Sequence, residues 1–260
     1  MDPETKHVAR ARRKLVNLID PISFLVASAG IFAGAVVSGL VGFAFSAVAG
    51  VVLLHILPPT EAVPLMMACS IVTQSVSLVA LRGSIQWRGS PVLIAGGALG
   101  ILPALYLLHH VDARSFRIGF GAFLVVYAAY MLLRPAASCE SSAPGRLRHA
   151  VVGFGGGLIG GLTAMPGALP MIWCELRGMP KDQQRGLVLP YVTAMQLIAL
   201  ALILSNKTLP AQALLNLTFS LPALVAGAAL GLIMFRRINA VLFRNIVLGV
   251  LLVAGFALVV

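Results

Sequence analysis

Ser70, Thr73, Gln74 and Ser77 recur at i, i+3, i+4 and i+7 inside an apolar run over residues 62–81, which lines them along one face of a helix. A second glutamine, Gln196, follows Thr193 by three residues in another apolar run and shares its face. A buried amide or hydroxyl must find partners. For the serines and threonines that partner is either a neighbouring helix or a ligand. For the two glutamines the reading favours a ligand cavity, because amides and hydroxyls replace water around an oxyanion without a counter-charge. Ionisable groups within apolar stretches are functional candidates by default. His55 and Glu61 flank the turn Leu57-Pro58-Pro59-Thr60, and Glu175 stands near Arg177. These three are the candidates for proton coupling, with an interfacial ion pair as the alternative for Glu175 and Arg177. His109 and His110 belong at an aqueous boundary and carry no chemistry. No Ser-His-Asp order, HExxH, phosphate loop or dinucleotide glycine pattern is present, so neither hydrolysis nor ATP coupling is visible. The three cysteines, Cys69, Cys139 and Cys174, are widely spaced, which indicates no disulfide framework, metal site or cofactor.

The elements that must position these residues follow from composition. Of 260 residues, 59% are hydrophobic and 10% charged, far below the charged quarter of ordinary soluble domains. Apolar runs recur at 62–81, 91–109, 118–133, 186–205, 211–235 and 245–260. Most approach the roughly 20 residues a helix needs to cross a bilayer. The fold class expected is an all-α integral membrane protein, a polytopic helical bundle of eight to ten crossings; barrel strands would be shorter and would alternate. The net charge of +11 reads as retention of cytoplasmic loops rather than nucleic-acid binding. Lys6, Arg10, Arg12, Arg13 and Lys14 precede the first apolar run and form a cytoplasmic tail in contact with anionic lipid.

Residues 135–149 form a polar linker, and similar sequences flank it. At an offset of 122, Gly39, Leu40, Pro58 and Gln74 fall on Gly161, Leu162, Pro180 and Gln196 without a gap. At an offset of 127, Asp112, Ala113, Phe116 and Arg117 fall on Asn239, Ala240, Phe243 and Arg244. The chain therefore divides into a tail (1–21), a first transmembrane repeat (22–134), the linker, and a second repeat (150–260). With the N-terminus inside, one net crossing over 22–57 and none over 150–178, 16 basic residues fall inside and three outside. A full crossing at 150–178 degrades that ratio to 11 against eight. The positive-inside rule selects the first arrangement, in which the repeats are inverted, as in many secondary transporters.

One stretch explains what the repeats are for. LTAMPGALPMIW, residues 162–173, places two prolines and a glycine where an uninterrupted helix is expected. Residues 151–162 and 169–176 are each too short to span at about 1.5 Å per residue, so they read as half-helices meeting at Met165-Pro166-Gly167. The counterpart in the first half is 39–50, where Gly42, Ser46 and Gly50 loosen the helix without proline. Such breaks are tolerated in lipid only where the freed backbone is buried in protein or lines a wet cavity. The half-helix after each break presents unpaired N–H groups and a positive dipole end, a setting for an anion. Close helix packing through glycine is the competing explanation.

GLVGFAFSAVAGVVLLHILPPTEAVPLMMACSIVTQS in the first half and GFGGGLIGGLTAMPGALPMIWCELRGMP in the second resemble the TauE/SafE sulfite exporter family of permeases, over residues 25 to 260. The family pattern has a G-x-G-G-G run leading to a proline in each half. Here the copies read Gly42-Phe43-Ala44-Phe45-Ser46 and Ala164-Met165-Pro166-Gly167-Ala168. The resemblance implies movement of sulfite, organosulfonates or related sulfur-containing or carboxylate anions across the bacterial inner membrane. The expected protein is a secondary transporter, an exporter, without enzymatic activity, working alone or as a homo-oligomer. Its anion would sit at mid-membrane against Ser46, Ser70, Thr73, Gln74, Thr163, Gly167, Thr193 and Gln196. The alternatives are an anion channel on the same helices and, behind it, a membrane enzyme or assembly subunit.

Overall fold

The computed structural model describes residues 21–85, 90–133, 145–206, 211–237 and 239–259. The basic tail, most of the linker, Arg88, Lys207 and Cys139 lie outside the described residues. Among the described residues ten α-helices follow one another: α1 (Pro21–Val41), α2 (Phe45–Ile56), α3 (Pro59–Ala80), α4 (Ser90–His110), α5 (Ala113–Leu133), α6 (Arg146–Thr163), α7 (Ala168–Leu176), α8 (Lys181–Asn206), α9 (Ala211–Arg237) and α10 (Ala240–Val259). No strand occurs among the described residues. Among the described residues five helices are long and apolar enough to cross a membrane: α3, α4, α5, α8 to Ser205, and α9 from Ser220.

Large apolar side chains point outward as well as inward. Val79, Leu99, Tyr106, Val126, Leu133 and Val253 are all more than 60% exposed. On a water-soluble protein such a surface would be a liability, whereas hydrocarbon is a solvent in which it costs nothing. The chain is an integral membrane protein. α3 and α8 are the most enclosed helices, with 67% and 61% of their apolar windows buried against 39% in α4, α5 and α9. These two enclosed helices carry Gln74 and Gln196.

The main helix pairings keep their counterparts when α1–α5 are exchanged with α6–α10, although α2 against α10 is not matched by α5 against α7. The two most extensive interfaces, α4 with α6 and α1 with α9, are each other's counterparts. α3 packs on α8 and α5 on α10, each its own counterpart, while α4 against α8 corresponds to α3 against α9. Both large interfaces use glycine to bring backbones together. A side chain on Gly157 would strike the Gly97 carbonyl, and one on Gly231 would strike that of Val36. Without a hydrophobic drive between helices in lipid, this close approach supplies the dispersion contacts that hold them.

Helix starts match the sequence pairing. Pro58 and Pro180 stand directly before α3 and α8, and their carbonyls accept early helical bonds from Ala62 N and Gln184 N. Asp112 Oδ2 accepts from Ser115 N at 2.9 Å at the head of α5, and Asn239 Oδ1 accepts from Leu242 N at 2.8 Å at the head of α10. Both are side-chain N-caps, the role in which Asp and Asn are preferred. The helix before the second interruption begins at Arg146, five residues earlier than its apolar run, because the linker's last polar residues continue the helical turn.

Candidate functional site

Two interruptions of the backbone are fully buried. Between α1 and α2 the chain passes through Gly42, Phe43 and Ala44, with Gly42 at φ 96°. Between α6 and α7 it passes through Ala164 to Gly167, with Ala164 at φ 55°. These are the first residues after α1 and α6, and Ala164 is the only non-glycine residue at positive φ among those described. Gly42 and Ala164 are separated by 122 residues, the same offset that relates Gln74 to Gln196.

Each glutamine binds the interruption of its own half. Gln74 Nε2 donates to Gly42 O at 2.6 Å, and Gln196 Nε2 donates to Ala164 O at 3.2 Å. The bond explains both the residue type and its burial: a carbonyl released where a helix ends must be satisfied in the interior, and an amide on the adjoining helix reaches it. Ser46, in the first turn of α2, donates to Ala164 O at 2.8 Å and so ties the first interruption to the second. A methyl group on Gly167 would lie 2.5 Å from Phe43 Cβ, which places the two interruptions in contact. Neither α2 nor α7 carries a side-chain cap at its N-terminus.

The remaining expected residues divide. Ser70, Thr73 and Gln74 are buried on one face of α3; Thr73 Oγ1 donates to Ser70 O at 2.9 Å and stands 3.3 Å from Ser38 Oγ. Thr163 and Thr193 bond back to their own helices, at Ile159 O (2.7 Å) and Leu189 O (2.9 Å), so their hydroxyls are occupied locally. Thr163 also lines an apolar hollow with Phe116, Phe120, Ile159 and Leu162. Ser70 Oγ, Gln74 Oε1 and Gln196 Oε1 are buried without a hydrogen-bond partner. Of the titratable candidates, His55 is exposed and its Nδ1 faces Val51 O of its own helix at 2.6 Å, while Glu61 and Glu175 are half-buried. Arg177 lies over the Trp173 ring, 5.0 Å from its centroid, and His149 meets that ring edge-on.

Sequence reasoning missed Arg185. Counted with the loop charges, it is instead 3% exposed in the second turn of α8. Nη1 donates to Leu40 O at 3.0 Å, and Nη2 to Gly39 O at 2.5 Å and Ser77 Oγ at 3.3 Å. The signal that could have found it is its position four residues after Lys181, where the apolar run over 186–205 already begins.

A bundle of apolar helices whose most enclosed pair directs amides at two chain interruptions is the architecture of a membrane permease. The chain belongs to the sulfite exporter TauE/SafE family, whose family model matches residues 26–258. No curated protein and no solved structure matches it. The family consists of membrane transporters rather than enzymes, and none of the described His, Cys, Asp or Glu residues cluster as a metal site would require.

Proposed function

We propose that the protein is a secondary transporter that exports a small oxyanion, such as sulfite, an organosulfonate or a related sulfur-containing or carboxylate anion, across the bacterial inner membrane. The observation that carries this reading is the matched pair of bonds, Gln74 to Gly42 O and Gln196 to Ala164 O, at interruptions joined by Ser46. In lipid, backbone released from a helix persists only inside protein or around a wet cavity. The amides engage the carbonyl side of each interruption and leave the uncapped N-termini of α2 and α7 to face a negative guest near the midplane. The unpartnered Oε1 atoms suit water or the hydroxyl of a protonated oxyanion.

On this reading the two halves are inverted repeats, with α1–α2 and α6–α7 entering the membrane as broken elements and the N-terminus cytoplasmic. The exchange of helix contacts supports it, because each half then builds one side of the site. Alternating access arises when one half rocks against the other around the fixed Ser46 junction. Ser70, Thr73, Thr163, Gly167 and Thr193 complete the lining. Proton coupling rests on His55, Glu61 and Glu175.

The test is ligand-induced stabilisation of purified protein by sulfite, sulfonates and carboxylates, followed by flux in proteoliposomes with and without a pH gradient. A ligand that binds only the folded form raises the melting temperature. No response to any of these anions removes the reading, and flux indifferent to the gradient removes proton coupling alone.

A further inference from the structure

Arg185 is the only charged side chain in the fully buried interior among the described residues. Its terminal nitrogens close the last turn of α1, whose carbonyl end favours a cation. That capping role leaves Nε unexplained: its N–H is buried without a partner. A buried donor left unsatisfied is uncommon and calls for an occupant. The Nε atom lies beside the first interruption. A methyl group on Gly42 would meet Arg185 Nε at 3.7 Å and Cγ at 3.8 Å, and nothing else within 4 Å. The guanidinium hydrogen-bonds to carbonyls and a hydroxyl, and the Asp182 carboxylate three residues earlier acts on it through its charge without a hydrogen bond.

The guanidinium also lies over Phe235, 4.3 Å from the ring centroid. Lys181 Nζ lies 4.9 Å from the same centroid. Phe235 also lines a cavity of about 420 Å³ with Lys181, Asp182 and Arg236 and the end of α3. Two cations against one carboxylate at its wall concentrate anions there, and Phe235 connects that wall to the buried guanidinium through a cation–π contact.

We propose that Arg185 is the residue that selects and holds the anion, its Nε–H donating to an oxygen of a small oxyanion seated at Gly42 that enters from the Lys181–Arg236 cavity past Phe235. This rests on the anion-transport reading above and supplies the charge that the glutamines lack. A neutral amide does not distinguish an anion from a polar neutral molecule of the same shape, whereas a desolvated guanidinium does.

The experiment uses purified full-length protein with sodium sulfite as probe, reading both the melting temperature without ligand and the sulfite affinity from its concentration-dependent rise. R185Q is expected to weaken sulfite binding about 10- to 100-fold, the size of a lost charge-assisted hydrogen bond. G42A puts a methyl group 3.7 Å from Nε, at a positive φ that strains alanine, and it is expected to weaken binding several-fold. A purely structural Arg185 predicts a lower ligand-free melting temperature in R185Q with the sulfite affinity intact; that result, or unchanged affinity in G42A, overturns the proposal. If R185Q cannot be recovered folded, G42A decides. Wild-type protein that ignores sulfite, sulfonates and carboxylates sinks this proposal and the transport reading together, whereas a responsive wild type with unresponsive affinity changes sinks Arg185 alone.

Discussion

At Gly42–Ala44 the chain leaves a helix through a glycine and uses no proline. At Ala164–Gly167 it does so through an alanine at φ 55° followed by Pro166. The first arrangement is intrinsically permitted, since glycine takes positive φ without steric cost. The second is imposed. Ala164 occupies a conformation that costs an L-residue about 1–2 kcal/mol, and its carbonyl accepts two side-chain bonds, from Ser46 and Gln196. Gly42 O receives one, from Gln74. The charges differ as well. Arg185 faces Gly42, and the residue 122 positions before it is Val63, buried and apolar. The same backbone event is therefore built twice, once by permissive backbone beside a buried cation and once by restrained backbone held by hydrogen bonds.

The most damaging way to break the comparison is at the contact between the interruptions. A Cβ at Gly167 approaches Phe43 Cβ at 2.5 Å and Val192 Cγ2 at 2.8 Å. Gly167→Val is expected to cost about 3 kcal/mol, the upper end of overpacking penalties, read as a lower unfolding midpoint in detergent. Stability indistinguishable from wild type would mean that the interruptions are not pressed together.

Next come the glutamines, where the unequal bond counts predict unequal losses. Gln74→Ala strips Gly42 O of its side-chain donor inside the protein and is expected to cost about 1–3 kcal/mol. Gln196→Ala leaves Ser46 on Ala164 O and is expected to cost about 0.5–1.5 kcal/mol. A Ser46/Gln196 double-mutant cycle sharpens the point, because two donors sharing one acceptor give a non-additive sum. Equal single losses and an additive cycle would remove the distinction.

Backbone substitutions act in opposite directions at the two sites. Ala164→Gly removes the left-handed penalty at the expense of unfolded-state entropy and is expected to raise stability by up to about 1 kcal/mol. Gly42→Ala introduces that penalty and is expected to lower stability by about 1–2 kcal/mol. Thermal unfolding of both variants checks the signs, and a stabilising Gly42→Ala would contradict the geometry.

The smallest effect concerns the caps of α5 and α10. The Ser115 N–H and hydroxyl hold the exposed Asp112 carboxyl below its ordinary range. A depressed carboxyl contributes stability that is present above its unfolded pKa of about 3.9 and disappears as pH falls through the lower folded value. Asn239 caps α10 without titrating. Asp112→Asn is therefore expected to remove a slight acid-side fall in melting temperature while leaving the neutral value nearly unchanged, and a pH profile identical to wild type would dismiss the cap's role.

Much of the architecture was legible because lipid simplifies the code. Long apolar runs with few charges must be helices, and Pro58, Pro180, Gln74 and Gln196 kept their spacing because each serves a local backbone need next to its own helix. The Asp112 and Asn239 pair was readable for the same reason: an N-cap is a contact three residues long. Val151 marked an apolar run rather than a helix start, since helix and run end for different reasons. Thr163 and Thr193 bond to Ile159 O and Leu189 O of their own helices, a choice that periodicity does not encode. Arg185 was opaque, because a basic residue beside a predicted loop has the same local pattern whether it reaches water or folds under α1.

The sequence by itself determined an all-helical membrane chain, its two internally similar parts, the positions where helices stop, and its family. Those properties depend on composition and on neighbours within a few turns. Only the tertiary structure decided that Ser46 reaches Ala164 across 118 residues, that Phe43 meets Gly167, and that a guanidinium closes α1 beside Gly42. Those are contacts between segments remote in the chain. Their existence depends on how closely glycine lets the backbones approach, which is a property of the packed bundle.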